Sequence, residues 1–84
     1  MKVPRAPVVD GGSLSRDWRK ALEAEARVKG LADVPRGAPP MAQDVDHEWT
    51  VWWGALGGGV LPRAPLYDDA GEVTRPWRVW LEAI

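Results

Sequence analysis

His47 is the one histidine of the chain, and it stands among Asp44, Asp46 and Glu48. An imidazole between carboxylates can ligate a metal or move a proton. A metal site needs several ligands in fixed geometry, though, and the chain offers no cysteine and no second histidine. His47 also takes a place that Arg16 and Arg75 fill elsewhere, which marks it as a polar surface residue at a helix start. Asp46 reads as a helix N-cap and Glu48 as a first-turn acid favoured by the helix dipole. Ser13, Ser15 and Thr74 carry hydroxyls but have no histidine placed to activate them. Gly57-Gly58-Gly59 lacks the lysine and following hydroxyl residue of a phosphate-binding loop, and reads as a helix stop. No catalytic residue, metal ligand or cofactor is expected, and the chain is read as a non-enzyme. The polar residues that recur are Arg5, Arg36 and Arg63, each directly after a proline. A guanidinium there can pair with an acid on a partner or stack on an indole; a solubilising charge between prolines is the plainer alternative.

These arginines belong to a pattern that occurs three times. Val3-Pro4-Arg5-Ala6-Pro7, Val34-Pro35-Arg36-Gly37-Ala38-Pro39 and Leu61-Pro62-Arg63-Ala64-Pro65 each precede a tryptophan at nearly fixed distance, with Trp18 and Trp49 14 residues after Pro4 and Pro35, and Trp77 15 after Pro62. Three residues before each tryptophan sits an N-cap type (Ser15, Asp46, Thr74), preceded by an apolar residue (Leu14, Val45, Val73). Positions three and four after the tryptophan carry Ala21 and Leu22, Trp52 and Trp53, Trp80 and Leu81, the spacing of one helix face. Self-similarity at fixed period predicts three tandem repeats, residues 3–30, 34–57 and 61–84, within one small unit.

Each repeat is expected to be an extended proline arm, a turn and a capped helix. Proline fixes φ and drives its predecessor out of the helical region, so Pro-x-x-Pro runs are extended. Asp10-Gly11-Gly12 and Asp68-Asp69-Ala70-Gly71 are turn sequences, while the middle repeat carries Met41-Ala42-Gln43-Asp44 without glycine. The fold expected is mainly α: three short helices over about 16–29, 47–56 and 75–84, with little or no strand. Val8-Val9 and Val60-Leu61 could each add an edge to a neighbour's sheet. In the first helix Trp18, Ala21, Leu22 and Val28 are expected to form the buried stripe.

Eighty-four residues make at most one domain, with a small core. Six tryptophans are more than three short helices are expected to bury among themselves. Part of that surface is therefore expected to serve a partner, through Trp18, Leu22, Trp49, Trp52, Trp53, Trp77, Trp80 and Leu81 together with Arg5, Arg36 and Arg63. Partner binding is expected to complete the fold. No stretch approaches a membrane span and the start of the chain lacks an apolar signal core, so a soluble intracellular protein without a membrane partner is expected. Charge runs from +2 over residues 1–33 to −2 over 34–60 and −1 over 61–84, too little basic excess for nucleic acid to be an expected partner.

The runs Pro7-Val8-Val9-Asp10-Gly11-Gly12-Ser13-Leu14-Ser15-Arg16-Asp17-Trp18 and Pro65-Leu66-Tyr67-Asp68-Asp69-Ala70-Gly71-Glu72-Val73-Thr74-Arg75-Pro76-Trp77-Arg78-Val79-Trp80-Leu81 resemble a segment common in small virion proteins of tailed bacteriophages. There a proline-rich lead, an Asp-x-x-Gly turn, Ser or Thr and an aromatic helix often open fibre, neck or tail-attachment proteins. The resemblance covers the first and third repeats well and the second in part. It implies a structural, non-enzymatic protein, present in many copies on a symmetric ring of portal, adaptor, tail or fibre subunits. It further implies assembly in the cytoplasm of a bacterial host, one with GC-rich DNA to judge by the Ala, Gly, Arg and Trp usage. A cytoplasmic assembly chaperone or regulatory module that folds on a protein partner is the alternative.

Overall fold

The computed structural model describes residues 1–43 and 45–84. In chain order it contains strands β1 (Val9–Asp10) and β2 (Ser13–Leu14) and helices α1 (Arg16–Lys29), α2 (His47–Gly57) and α3 (Arg75–Ala83). The molecule is thus mainly α, with a minimal sheet.

The helices begin and end where local chemistry directs. Ser15, Asp46 and Thr74 all occupy the N-cap with extended backbone, and their carbonyls accept the first helical bonds from Arg19, Thr50 and Arg78. Side-chain capping occurs only at Asp46, whose Oδ1 accepts from the Trp49 amide at 3.2 Å. The Thr74 hydroxyl instead donates to the Pro65 carbonyl at 2.5 Å, and the buried Ser15 Oγ has no partner among the described residues. Pro76 sits in the first turn of α3, where its missing N–H goes unneeded. Gly30 closes α1 in the left-handed region, and the Leu31 amide reaches back to the Ala26 carbonyl at 2.8 Å. Helix α2 runs one residue past the expected Leu56, to Gly57, and is closed by Gly58.

The strands pair with each other. Val9 lies opposite Leu14 and Asp10 opposite Ser13, with Gly11 and Gly12 at positive φ in the tight turn between them. The Val8-Val9 edge expected for a neighbour's sheet is therefore already used: Val9 pairs internally and Val8 is wholly buried. Val60-Leu61 forms no strand, and Val60 is exposed. A single antiparallel bridge between Tyr67 and Val73 flanks the turn at 68–72, where the Asp68 carboxylate accepts from the amides of Ala70 and Glu72. The corresponding middle turn was expected at Met41-Ala42-Gln43-Asp44, and its Asp44 lies outside the described residues.

The core is aromatic and closed. Trp18, Trp49, Trp52, Trp53 and Trp77 are each no more than 5% exposed, and Trp80 is half-buried. Trp53 sits at the centre of five indoles, with ring centroids 5.4 Å from Trp49, 5.3 Å from Trp52 and 5.3 Å from Trp77, mostly edge to face. Trp80 completes the group 5.3 Å from Trp77. Trp18 packs in the same core with Val8, Leu14 and Leu22. More indole surface was expected than three short helices could bury, yet the indoles pack on one another, and Val8, Val34, Pro39 and Leu66 outside the helices are buried as well.

One local expectation also changes. Val28 is 82% exposed while Ala26 is buried. At about 100° per residue, Ala26 falls close to the line of Leu22 and Val28 far round the helix from it. The first proline arm and turn also contribute to the interior, where Val8 and Leu14 are buried.

Candidate functional site

The three proline–arginine segments are the candidate site. In the first, the Trp18 indole donates from Nε1 to the Ala6 carbonyl at 2.7 Å. In the third, Trp77 Nε1 donates to the Ala64 carbonyl at 2.8 Å. Both acceptors lie between the arginine and the second proline, at Arg5-Ala6-Pro7 and Arg63-Ala64-Pro65. Just beyond, the Ser15 amide donates to the Val8 carbonyl at 2.9 Å and the Thr74 amide to the Leu66 carbonyl at 3.0 Å. The first and third segments are thus each tied to their own helix at two points, the indole N–H and the amide of the N-cap residue.

The segments are also tied to one another. The Val8 amide donates to the Gly71 carbonyl at 2.7 Å, and the Leu66 amide to the Met41 carbonyl at 2.8 Å. Tyr67 donates its hydroxyl to the Pro39 carbonyl at 2.9 Å. These bonds join Val8, Leu66 and Tyr67, which follow the first and third proline runs, to Gly71, Met41 and Pro39 elsewhere in the chain.

The middle segment is held differently. Trp49 Nε1 is buried and has no partner among the described residues. Trp52 supplies the indole donor instead, to the Ala32 carbonyl at 3.2 Å. Thr50 donates its hydroxyl to the carbonyls of Gln43 and Asp46.

Against this frame the predicted residues divide. Arg5, Arg36 and Arg63 are all exposed. Trp18, Leu22, Trp49, Trp52, Trp53, Trp77 and Leu81 lie inside the molecule, and Trp80 at its edge against Gly57, where any Cβ would come within 2.0 Å of the Trp80 ring. The indoles hold the backbone; the guanidiniums are left in water, where each offers five donors in a planar fork suited to a carboxylate or phosphate. The carbonyls of Ala6, Ala32 and Ala64 were not anticipated. Their one sequence signal is the Ala-Pro pair at 6–7, 38–39 and 64–65, and it holds for two of the three acceptors.

His47 and Glu48 are exposed at the start of α2, and no group of three or more metal-ligating side chains forms among the described residues. No helix among them is long and apolar enough to cross a membrane. No protein-family model matches the chain, and neither a curated protein nor a solved structure matches it.

Proposed function

We propose that the chain is a non-enzymatic structural or adaptor protein of a tailed-phage virion. In this reading it is built from three tandem units of proline arm and tryptophan helix, the first and third tied by matching bonds, and it docks onto a symmetric ring or fibre of other virion subunits. The observation that carries the reading is the matched anchoring of the first and third segments. Trp18 to Ala6 repeats as Trp77 to Ala64, Ser15 to Val8 as Thr74 to Leu66, and Val9 opposite Leu14 as Tyr67 opposite Val73. Each pair of bonds holds an exposed arginine on immobilised backbone. Ordering costs of roughly 1–2 kcal/mol per residue are then met by folding rather than by binding.

The docking groups in this reading are Arg5, Arg36 and Arg63, and the tryptophans act by shaping the arms that present them. Several linked contacts raise the effective concentration of each. A core already closed on itself favours a pre-folded adaptor over a module that folds on its partner.

Cosedimentation with purified particles tests the proposal. The intact protein travels with the particle, and each Arg→Ala exchange at residues 5, 36 and 63 weakens attachment about tenfold without loss of helical circular dichroism. A protein present in infected-cell lysate but absent from washed virions overturns the reading.

A further inference from the structure

We propose that the groove between residues 1–5 and α1 receives an aromatic side chain, an indole or a ring of similar size, from another protein. The groove holds about 720 Å³ and runs between Met1, Val3 and Pro4 on one side and Ala21 and Ala24 on the other. The Met1 nitrogen fixes the near wall by donating to the carbonyls of Leu81 and Ile84, at 2.8 and 2.7 Å.

The chemistry of the occupant is written in the middle of the chain. Trp49 follows Trp18 by 31 residues, and the same shift carries Met1, Lys2, Pro4, Ala21 and Ala24 onto Ala32, Asp33, Pro35, Trp52 and Ala55. Those five residues also line a single groove, of about 240 Å³. There the chain supplies its own ring: Trp52 is 5% exposed and donates to the Ala32 carbonyl at 3.2 Å. At the first groove the matching residue is Ala21, the matching acceptor is the Met1 carbonyl, and the space is correspondingly wider. Matching residues thus line two grooves, once with an indole and once with a methyl group at the corresponding place.

The occupant is a different protein rather than a second copy. Five of the six tryptophans are buried, the half-buried Trp80 is packed against Gly57, and the half-buried Tyr67 is held at the Pro39 carbonyl, so no aromatic ring of the chain stands free. Lys2 and Arg5 at the groove outweigh Glu25, which favours a partner whose aromatic residue is followed or preceded by an acid. The inference rests on the register of the proposed units, not on attachment to particles.

The test is a titration of the isotope-labelled full chain, followed by amide chemical shifts. N-acetyl-tryptophanamide gives saturable shifts confined to Val3, Ala21 and Ala24, with Kd on the order of 1 mM, and N-acetyl-leucinamide binds about tenfold more weakly. N-acetyl-aspartyl-tryptophanamide binds more tightly than its lysyl counterpart. Ala21→Trp abolishes the shifts and raises the thermal midpoint, because the variant fills the groove itself. Absent or scattered shifts, shifts undiminished in A21W, or equal binding of the two dipeptides overturn the proposal. So does a dimer in sedimentation equilibrium that A21W dissolves, since the occupant would then be a second copy. Should A21W misfold, the titrations of the unaltered chain decide alone. Failure of cosedimentation with intact groove binding would remove the virion reading and leave this one standing.

Discussion

Residues 4–18 and 62–77 hold their proline segments alike, whereas residues 35–49, with the same order of proline, arginine, proline and tryptophan, hold theirs by other means. In the outer regions the residue after the second proline is Val8 or Leu66, and its amide donates to another part of the chain. In the middle that place is Pro40, which has no N–H to give. The middle segment is also one residue longer, with Gly37 at a φ of +82°. Trp49 is left with a buried, unpartnered Nε1, Trp52 takes over the indole bond at Ala32, and Tyr67 grips Pro39 from outside. The difference teaches that matched spacing fixes where an indole lies without fixing what it bonds. In the middle region the indole bond comes from Trp52, three residues along the helix from the tryptophan that matches Trp18 and Trp77.

Three sets of substitutions probe that contrast. Trp53→Ala has the largest expected effect, about 3–5 kcal/mol, because this ring joins the middle helix to α3 through Trp77. A domain of this size has roughly 5–10 kcal/mol in total, so thermal denaturation should show a chain largely unfolded at moderate temperature. Retention of a native-like transition would mean that the outer regions stand without the middle. Gly57→Ala comes next, at about 1–3 kcal/mol, since its Cβ would overlap the Trp80 ring. A double-mutant cycle with Trp80→Ala should recover most of that loss, and strict additivity would show that the close approach is not the cause. The finest comparison is Trp→Phe at 18, 49 and 77. All three lose ring volume, but only Trp18 and Trp77 also abandon a carbonyl. Denaturant midpoints should place these two about 1 kcal/mol below Trp49→Phe, and equal losses would erase the distinction drawn above.

Helix positions were legible because their causes are local. A cap-type residue, a first-turn acid or proline and a glycine stop act within a few residues, so α1 spans the expected 16–29 and the others differ by a residue at an end. What the cap side chains do was less legible. The Thr74 hydroxyl turns to Pro65 because that carbonyl is brought to it by the chain's return, which no window around Thr74 contains. The fate of the indoles was hidden for the same reason. Trp53 meets Trp77 across 24 residues of sequence, and counting rings against helices leaves out the non-helical residues that cover them. Val28 misled because an apolar type was read without its angle about the helix. Arg5, Arg36 and Arg63 stood open between pairing with a partner's acid, stacking on an indole and a solubilising charge, and all three are exposed.

Five indoles in an unbroken run of edge contacts, with centroids 5.3–5.8 Å apart, are close enough for their electronic transitions to couple. Their excited states are shared across neighbours, so the near-ultraviolet optical activity of the protein belongs to the assembly of rings. The chain therefore carries its own dye. A disturbance at any one ring alters a signal from all of them, and loosening of the interior can be followed by light without attaching a probe.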